Sequence, residues 1–422
     1  MGRQVTGMDQ WADMYSQRAT HLRESEIRAL FAVVSRPEVV SLAGGMPNIK
    51  DLPIARLAES AKQLILSHGP QAMQYGSGQG WGPLREQIGN VMSYEGSNPN
   101  PDNVVISTGS QQALDYVTQI FINPGDVIVA EAPSYVGALG VFAAYQADVV
   151  HVPLDEDGLI PQALEETLAD LKKVGKRVKF LYTVPNFHNP GGVTMSLERR
   201  PQIVEICRRH HVLVLEDNPY GLLGFHSEPI PSLHSLAPDT VIYLGSFSKM
   251  FAPGFRIGWA VAPPAIRQKL VLASESALLS PSMVGQMAIS GYLSDYNWYG
   301  QVKAFQGMYE ERCQAMMDAL QEYLPDCTWT KPTGGFYTWV TVPEGIDTKE
   351  MLPRAVTGQV AYTSGTAFYA DGQGRQNIRL SYCYPEPDVI REGVRRLSIV
   401  MNREKELVEL FGPSPKTSPE KK

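Results

Sequence analysis

A lysine follows an apolar run in the segment IYLGSFSKMFAPGFRIGW, which covers residues 242–259. Lys249 comes directly after Ser248 and three positions after Ser246, and Arg256 stands seven residues further on. Serine hydroxyls and a guanidinium are donors that suit a phosphate dianion, and an amine in the same turn could reach an aldehyde attached to that phosphate. The segment therefore predicts an anion site with a reactive amine, although a lone lysine is more commonly a surface residue.

Polar residues also follow the apolar run NVVIS at 103–107. Gly109 permits a tight turn, and Ser110 and Gln111 open a helical pattern. The first N–H groups of a helix have no partner within the helix and lie at the positive end of its dipole. This stretch predicts a second part of an anion site, while a serine that merely caps the helix remains an alternative.

Two more runs end in residues that could bind a ring. Asp217 follows VLVLE, and an acid at the end of an apolar strand needs a cationic or donor partner unless it caps the next helix. The turn PNFHNPGG at 185–192 follows FLYTV and offers the amides of Asn186 and Asn189. Pyridoxal phosphate has the aldehyde and the phosphate that Lys249, the two serines and Arg256 would bind.

The elements that position these residues are short apolar runs separated by amphipathic stretches. This alternation predicts an α/β fold with a mostly parallel sheet flanked by helices. The runs are NVVIS (103–107), DVIVA (126–130), VKFLYTV (178–184), VLVLE (212–216), TVIYLG (240–245) and RIGWAVA (256–262).

The rest of the chain follows a different pattern. A helical stretch near 296–324 precedes the strands GGFYTWVTV and NIRLSYCY, which predict a smaller α+β domain. We expect a large cofactor-binding domain at 51–300, a small domain at 301–412 that residues 1–50 join, and a disordered Pro-, Ser- and Lys-rich tail at 413–422.

Composition excludes several classes of protein. The chain has 422 residues, of which 43% are hydrophobic, and a net charge of -7, which provides no basic field for nucleic acid. The four cysteines lack CxxC spacing, so we expect neither a metal site nor a disulfide framework. We find no signal peptide and no run of about 18 apolar residues, so we expect a cytoplasmic protein without a membrane partner.

The motifs NPGG, EDNPYG, SFSK with GFRIGW, and NIRLSY together resemble the fold type I, class I/II pyridoxal-phosphate aminotransferases over nearly the whole chain. The stretches SLAGGMPN, QYGSGQGWGPLRE, STGSQQALD and EAPSY resemble the branch of α-aminoadipate, kynurenine and broad-range aromatic or branched-chain aminotransferases. One departure is that Gly191 takes the threonine position of the common NPTG turn.

The resemblance implies that the sheet is of the seven-stranded type, and it implies a role for each matching residue. Lys249 forms a Schiff base with the cofactor and moves a proton, Asp217 pairs with the ring nitrogen, and Asn189 and Tyr220 bind the ring oxygen. Lys249, Asp217 and Tyr220 are thus the expected catalytic residues. The ring is stacked by Tyr135, and the phosphate is held by Ser110, Gln111, Ser246, Ser248, Arg256 and, from the other subunit of a homodimer, Tyr75.

The resemblance also implies a substrate site for an amino acid and a 2-oxo acid. In NIRLSY, strand alternation places Arg379 opposite Ile378 and Leu380, and the family's arginine there binds the α-carboxylate as a bidentate pair. Gly45, Asn189 and Tyr75 are further substrate residues. Arg28, in the helical pattern RESEIRALF, is expected to meet a distal carboxylate, although a solvated arginine paired with Glu24 is the commoner outcome.

Two other functions use the same fold. A regulator of transcription would carry a helix-turn-helix domain, for which the 40 residues before SLAGG are too few. A second pyridoxal-phosphate reaction, such as β-elimination or decarboxylation, is possible because fold does not fix reaction. Arg379 and the local similarity favour transamination.

Overall fold

The structure is a computed structural model, which describes residues 9–20, 22, 36–226 and 228–412. Its strands are β1 (Val40–Ser41), β2 (Val104–Ser107), β3 (Val127–Ala132), β4 (Asp148–Asp155), β5 (Gly158–Leu159), β6 (Val178–Thr183), β7 (Leu213–Asp217), β8 (Val241–Ser246), β9 (Gly258–Val261), β10 (Thr328–Trp329), β11 (Tyr337–Thr341), β12 (Val360–Ala361), β13 (Thr363–Ser364) and β14 (Asn377–Ser381). Its α-helices are Gln17–Thr20, Ile54–Ala72, Gly82–Ser93, Ser110–Phe121, Val136–Ala144, Pro161–Lys173, Arg199–Arg209, Leu233–Leu236, Pro264–Leu278, Met283–Asp295, Trp298–Tyr323, Thr348–Thr357 and Pro387–Phe411. Short 3₁₀ turns lie at Ala12–Met14, Pro101–Asn103, Pro253–Phe255 and Gly365–Phe368.

Eight strands form the large sheet in the order β2-β9-β8-β7-β6-β3-β4-β5. Strands β4, β3, β6, β7 and β8 pair in parallel, whereas β9 is antiparallel to both β8 and β2. The two-residue β5 pairs antiparallel with β4 at the edge. This arrangement confirms the predicted mostly parallel sheet and adds β5 as an eighth strand.

Helices cover both faces of this sheet. In β3, Val127 and Val129 pack in one apolar cluster with Leu164 and Ile203 of two helices. The alternate residues of the strand, including Ile128, belong to a separate cluster on the opposite face. Because both faces are covered, the central strands read as continuous apolar runs rather than as alternating ones.

Strand β4 was not among the predicted runs. Its sequence DVVHVPLD carries charged residues, a histidine and Pro153, and most of its residues are only half-buried. The reason is its place near the edge of the sheet, where β5 is its only outer neighbour. An edge strand lacks the all-apolar pattern by which the central strands were predicted.

A second, antiparallel sheet has the order β10-β11-β14-β13. Buried apolar residues of this sheet belong to one cluster with residues of the helices Thr348–Thr357 and Pro387–Phe411. Strand β1 pairs in parallel with β12, and the Ser381 N–H donates to the Leu42 carbonyl oxygen at 2.8 Å. Leu42 packs in the apolar cluster of this sheet, whereas Leu52 packs in that of the large sheet. These contacts are made by residues 40–42, and the expectation that residues 1–50 join the small domain stays a prediction. The domain boundaries themselves stay predictions, and residues 413–422 lie outside the described part of the chain.

Candidate active site

The strands that precede most of the predicted site residues end at one edge of the large sheet. Strands β3, β6, β7 and β8 are parallel, so their carboxyl ends meet there, and β2 joins them because the antiparallel β9 lies between it and β8. Since β9 runs in the opposite direction, Arg256, just before it, reaches the same edge. The carboxyl edge of a parallel sheet is the usual ligand site in such folds.

Lys249 lies in the turn after β8 and is half-buried. Its Nζ donates to the Gly45 carbonyl oxygen at 2.8 Å and lies 5.6 Å from the centre of the Phe336 ring. Burial lowers the pKa of Lys249 to about 8; the nearby Cys383 opposes this change and the charge of Arg379 adds to it. An amine with this pKa is neutral far more often than an exposed lysine, so it can act as a nucleophile or a base.

Asp217 ends β7 and is buried. Its Oδ2 accepts a hydrogen bond from the Tyr182 hydroxyl at 2.8 Å, whereas Oδ1 is buried without a partner among the described residues. Burial raises the pKa of Asp217 to about 6, although Tyr182 and the charge of Lys249 oppose this change. A buried carboxylate oxygen without a donor fits a cationic ring N–H, which would stabilise its charged form.

A cradle for an anion is formed where β2 meets the helix Ser110–Phe121. Gly109 has φ 77°, and a Cβ added to it would lie 2.5 Å from Nη2 of Arg256. Arg256 itself has φ 53°, and its Nη2 donates to the Thr108 carbonyl oxygen at 3.2 Å. A Cβ on Gly258 would lie 2.5 Å from the Ser110 nitrogen. The two glycines thus allow the guanidinium and a helix N-terminus to meet.

Ser246 ends β8, and Ser248 follows it beside the same guanidinium. Nη1 of Arg256 lies 3.5 Å from the Ser248 hydroxyl, and the Ser248 N–H donates to the Ser246 hydroxyl at 3.1 Å. Gln111 differs from the other members of the predicted set, because its side-chain N–H donates to the Gly137 carbonyl oxygen at 3.0 Å. One of the two side-chain N–H groups of Gln111 is therefore already engaged within the protein.

Two tyrosines of the predicted set, Tyr135 and Tyr220, have hydroxyls with raised pKa values. Tyr135 begins the helix Val136–Ala144, and burial raises its pKa to about 12, so its hydroxyl stays protonated. Tyr220 packs edge-on against Phe336, with ring centres 5.3 Å apart. Burial raises the pKa of the Tyr220 hydroxyl as well, which keeps it a hydrogen-bond donor.

Arg379 lies in β14, between the buried Ile378 and Leu380 as strand alternation predicted. Its Nη1 donates to Asn189 Oδ1 at 2.8 Å and its Nη2 to the Ala43 carbonyl oxygen at 2.7 Å. Its guanidinium stacks on the ring of Tyr337 at 4.2 Å. Because Asn189 Oδ1 is held by Arg379, the amide N–H₂ of Asn189 faces the other way and is available as a donor.

The remaining residues predicted to bind substrate or phosphate are Gly45, Tyr75 and Arg28. Gly45 contributes the carbonyl that binds Lys249, and a Cβ added to it would lie 2.0 Å from the Tyr337 hydroxyl oxygen, so a larger residue does not fit. Tyr75 is 77% exposed and contacts none of the other predicted residues in the described part of this chain. Arg28 lies outside the described residues.

Sequence reasoning missed several residues of this edge and misjudged another. Tyr182, which holds Asp217, and the buried pair of Glu131 and His188 were not predicted. Asn186 was expected to offer a donor like Asn189, but its amide binds Arg200 and Asn218 instead. Glu131 carries the same local signal as Asp217, an acid at the end of an apolar run, and could have been found by it.

Comparison with known proteins agrees with this geometry. The family model "Aminotransferase class I and II" matches residues 37–397. The aromatic-amino-acid aminotransferase 1 of Thermococcus litoralis is 41% identical over 393 residues, which cover 92% of this chain and 94% of that protein. The kynurenine aminotransferase of Pyrococcus horikoshii, solved with PMP and kynurenine, has a TM-score of 0.90 at 39% identity and covers 94% of this chain and 98% of its own.

A third relative bears on the cofactor. The α-aminoadipate aminotransferase of Thermus thermophilus, solved with N-(5′-phosphopyridoxyl)-L-leucine, has a TM-score of 0.87 at 35% identity and covers 94% of this chain and all of its own. The residues of the present site fit the same cofactor: an amine for the aldehyde, the unpartnered Oδ1 of Asp217 for the ring nitrogen and the Arg256 cradle for the phosphate. The chain belongs to the class I and II aminotransferases and is a pyridoxal-phosphate-dependent aminotransferase.

Proposed function

We propose that the protein transfers the amino group of an aromatic, branched-chain or α-aminoadipate-type amino acid to 2-oxoglutarate. The names of the three relatives support this range of donors. The observation that carries the proposal is the buried guanidinium of Arg379, held 2.8 Å from Asn189 at the edge that also carries Lys249. A fixed fork of N–H donors suits the α-carboxylate that all amino acids and 2-oxo acids share.

Each side chain has a task in this proposal. Lys249 would hold the aldehyde of the cofactor and carry the proton that leaves the substrate Cα. Asp217 would keep the ring nitrogen protonated, Asn189 and Tyr220 would donate to the ring oxygen, and Tyr135 would stack on the ring. When bound, pyridoxal phosphate supplies the electron sink that protein side chains lack. The phosphate donors are Ser110, Gln111, Ser246, Ser248 and Arg256, together with Tyr75 of the partner subunit.

The low pKa of Lys249 supports its role as the base. A base works best when its pKa lies close to the working pH, because it is then both unprotonated and strong enough to remove a proton. Burial brings the pKa of Lys249 to about 8.

We also propose a homodimer in which Tyr75 serves the phosphate site of the other subunit. The support is a pair of exposed apolar side chains near this residue, Met73 and Leu279, which are 70% and 61% exposed. The Gly76 N–H donates to the Ser280 hydroxyl at 3.2 Å, so the segments that carry Met73 and Leu279 adjoin. Apolar residues clustered on a surface are typical of subunit interfaces.

A mixing experiment tests the shared site. Lys249→Ala and Tyr75→Ala should each be inactive or nearly so, and subunits of the two variants should regain activity when unfolded and refolded together. In such a mixed dimer, the subunit with Lys249 receives an intact Tyr75 from its partner. Absence of recovery, with mixed dimers present, would show that Tyr75 acts within its own chain or not at all.

We propose the cytoplasm as the compartment. The four cysteines Cys207, Cys313, Cys327 and Cys383 are all free and buried, which suits a reducing environment. No helix in the described part of the chain has both the length and the apolar character that a membrane crossing requires.

A substrate panel tests the donor range directly. Purified protein with pyridoxal phosphate is incubated with 2-oxoglutarate and one amino acid at a time, and glutamate formation is measured. We expect phenylalanine, leucine, kynurenine and α-aminoadipate to be donors. A profile limited to aspartate, or to small amino acids such as alanine, would contradict the proposal while leaving the aminotransferase family intact.

A further inference from the structure

A buried acid and a buried histidine lie directly behind the Asn189 turn. Glu131 stands near the end of β3, and its Oε1 accepts from the Thr183 hydroxyl at 2.7 Å and its Oε2 from the Val184 N–H at 2.8 Å. His188 Nε2 lies 3.1 Å from the same Oε2, and both side chains are 2% exposed. Because buried polar groups are costly unless they have partners, a carboxylate and an imidazole this deeply buried and this close form a specific polar pair.

The other nitrogen of the His188 ring holds the turn itself. The Gly191 N–H donates to His188 Nδ1 at 3.0 Å, and the Gly192 N–H donates to the His188 carbonyl oxygen at 2.7 Å. Because Nδ1 accepts a hydrogen bond, it carries no proton, and the ring proton is on Nε2, facing Glu131. The ring N–H does not lie along the line to Oε2, so the contact with Glu131 is electrostatic rather than a well-aligned hydrogen bond.

The glycine that replaces threonine in the NPTG turn belongs to this arrangement. A Cβ added to Gly191 would lie 2.8 Å from His188 Nδ1, so in this geometry the ring leaves no room for a side chain at that position. The backbone of Gly191 does not require φ > 0, so glycine is not explained by its dihedral angle. The close approach of the imidazole accounts for it.

We propose that His188 is a positioning residue for Asn189. The charge of Glu131 attracts the Nε2 side of the ring, the Gly191 N–H binds Nδ1 and sets the tautomer, and the turn between them presents the Asn189 amide to the ring oxygen of the cofactor. Arg379 holds the other side of the same amide through Oδ1 at 2.8 Å. The inference rests on the proposed role of Asn189 and adds the residues that set its orientation.

Two substitutions of His188 separate its two contacts. His188→Asn keeps an acceptor near the place of Nδ1 for the Gly191 N–H, whereas His188→Gln keeps an N–H near the place of Nε2 but loses that acceptor. Gly191→Ala keeps the histidine but displaces its ring, because the added Cβ would lie 2.8 Å from Nδ1. The control is a His–Glu pair at the surface, in which His210 Nε2 lies 2.8 Å from Glu165 Oε1, and its variant is His210→Gln.

The readout is the pH titration of the visible absorbance of the bound cofactor, with kcat and KM measured in parallel. A donor to the ring oxygen withdraws charge from it, so a displaced Asn189 leaves more negative charge there and favours the protonated imine. We expect His188→Gln and Gly191→Ala to raise the apparent pKa of this titration and to lower kcat by roughly tenfold, as loss of one hydrogen bond implies. His188→Asn should keep the apparent pKa and kcat close to their wild-type values, and His210→Gln should change neither quantity.

Three outcomes would overturn the proposal. One is an unchanged titration in His188→Gln and Gly191→Ala; another is a defect of His188→Asn as large as that of His188→Gln. The third is a lower melting temperature in both His188 variants with no change in absorbance.

If His188→Gln does not fold, Gly191→Ala still tests the proposal. Its control is Gly140→Ala, because a Cβ added to Gly140 meets nothing within 4 Å. Failure of the proposed function would instead appear as a wild-type protein that does not transaminate. The absorbance titration needs no turnover, so the two failures can be told apart.

Discussion

Replacing Arg379 by lysine tests how the protein binds its substrates. Lysine keeps the positive charge but offers a single ammonium group instead of a planar fork, so one of two charged hydrogen bonds to a carboxylate is lost, at about 1.5–3 kcal/mol. It also loses stacking on Tyr337 at 4.2 Å and Phe368 at 4.9 Å, a contribution of about 0.5–2 kcal/mol. The sum of about 2–5 kcal/mol corresponds to a fall in kcat/KM of roughly 30-fold to several thousand-fold.

The assay is steady-state transamination with several donors and with 2-oxoglutarate. Because the carboxylate is bound in both the ground state and the transition state, most of the loss should appear as a higher KM. The loss should be similar for aromatic, branched-chain and acidic substrates, since all carry the α-carboxylate. Arg391→Lys, on an exposed ion pair with Glu322, is the matched control and should behave as wild type. A fall of less than about threefold, or one confined to a single substrate class, would refute the assignment of Arg379.

Three further predictions concern the amine and the substrate range. Lys249→Ala should abolish turnover and the imine absorbance while the melting curve stays close to that of wild type; retained activity would rule out Lys249. The rate at which cofactor-stripped protein takes up pyridoxal phosphate should rise with pH through about 8 and then level off, because only the neutral amine attacks the aldehyde and burial lowers its pKa to about 8; a rate independent of pH between about 6 and 9 would contradict this. Arg28→Ala should raise KM for glutamate and 2-oxoglutarate by roughly tenfold and spare leucine- or phenylalanine-like donors; equal effects on both classes, or none, would make Arg28 a structural or surface residue.

The sequence predicted the fold and the charged residues of the site for a physical reason. A charged side chain at the end of an all-apolar run is costly unless it has a partner, so Asp217 and Lys249 stand out locally. Arg379 stands out because strand alternation separates it from Ile378 and Leu380. Such signals need only neighbouring residues, and a parallel sheet then brings the strand ends together without further information.

What the sequence did not predict depends on contacts between distant parts of the chain. The carbonyl oxygens of Ala43 and Gly45, which accept from Arg379 and Lys249, have no side-chain signal at all. Asn186 and Asn189 lie in one turn and have the same chemistry, yet their partners differ, because Arg200 binds the amide oxygen of Asn186 and Arg379 that of Asn189. The direction of a side chain in an irregular turn is set by partners that local pattern does not reveal.

The most direct test of the central claim is a single half-reaction. The protein carrying pyridoxal phosphate is mixed with one equivalent of phenylalanine and no 2-oxo acid, and the cofactor and the small molecules are identified. Amino-group transfer predicts conversion of the cofactor to its pyridoxamine form with release of one equivalent of the 2-oxo acid and no ammonia. Release of ammonia, or loss of carbon dioxide, with the cofactor unchanged would show that the same fold and the same lysine carry out a different reaction.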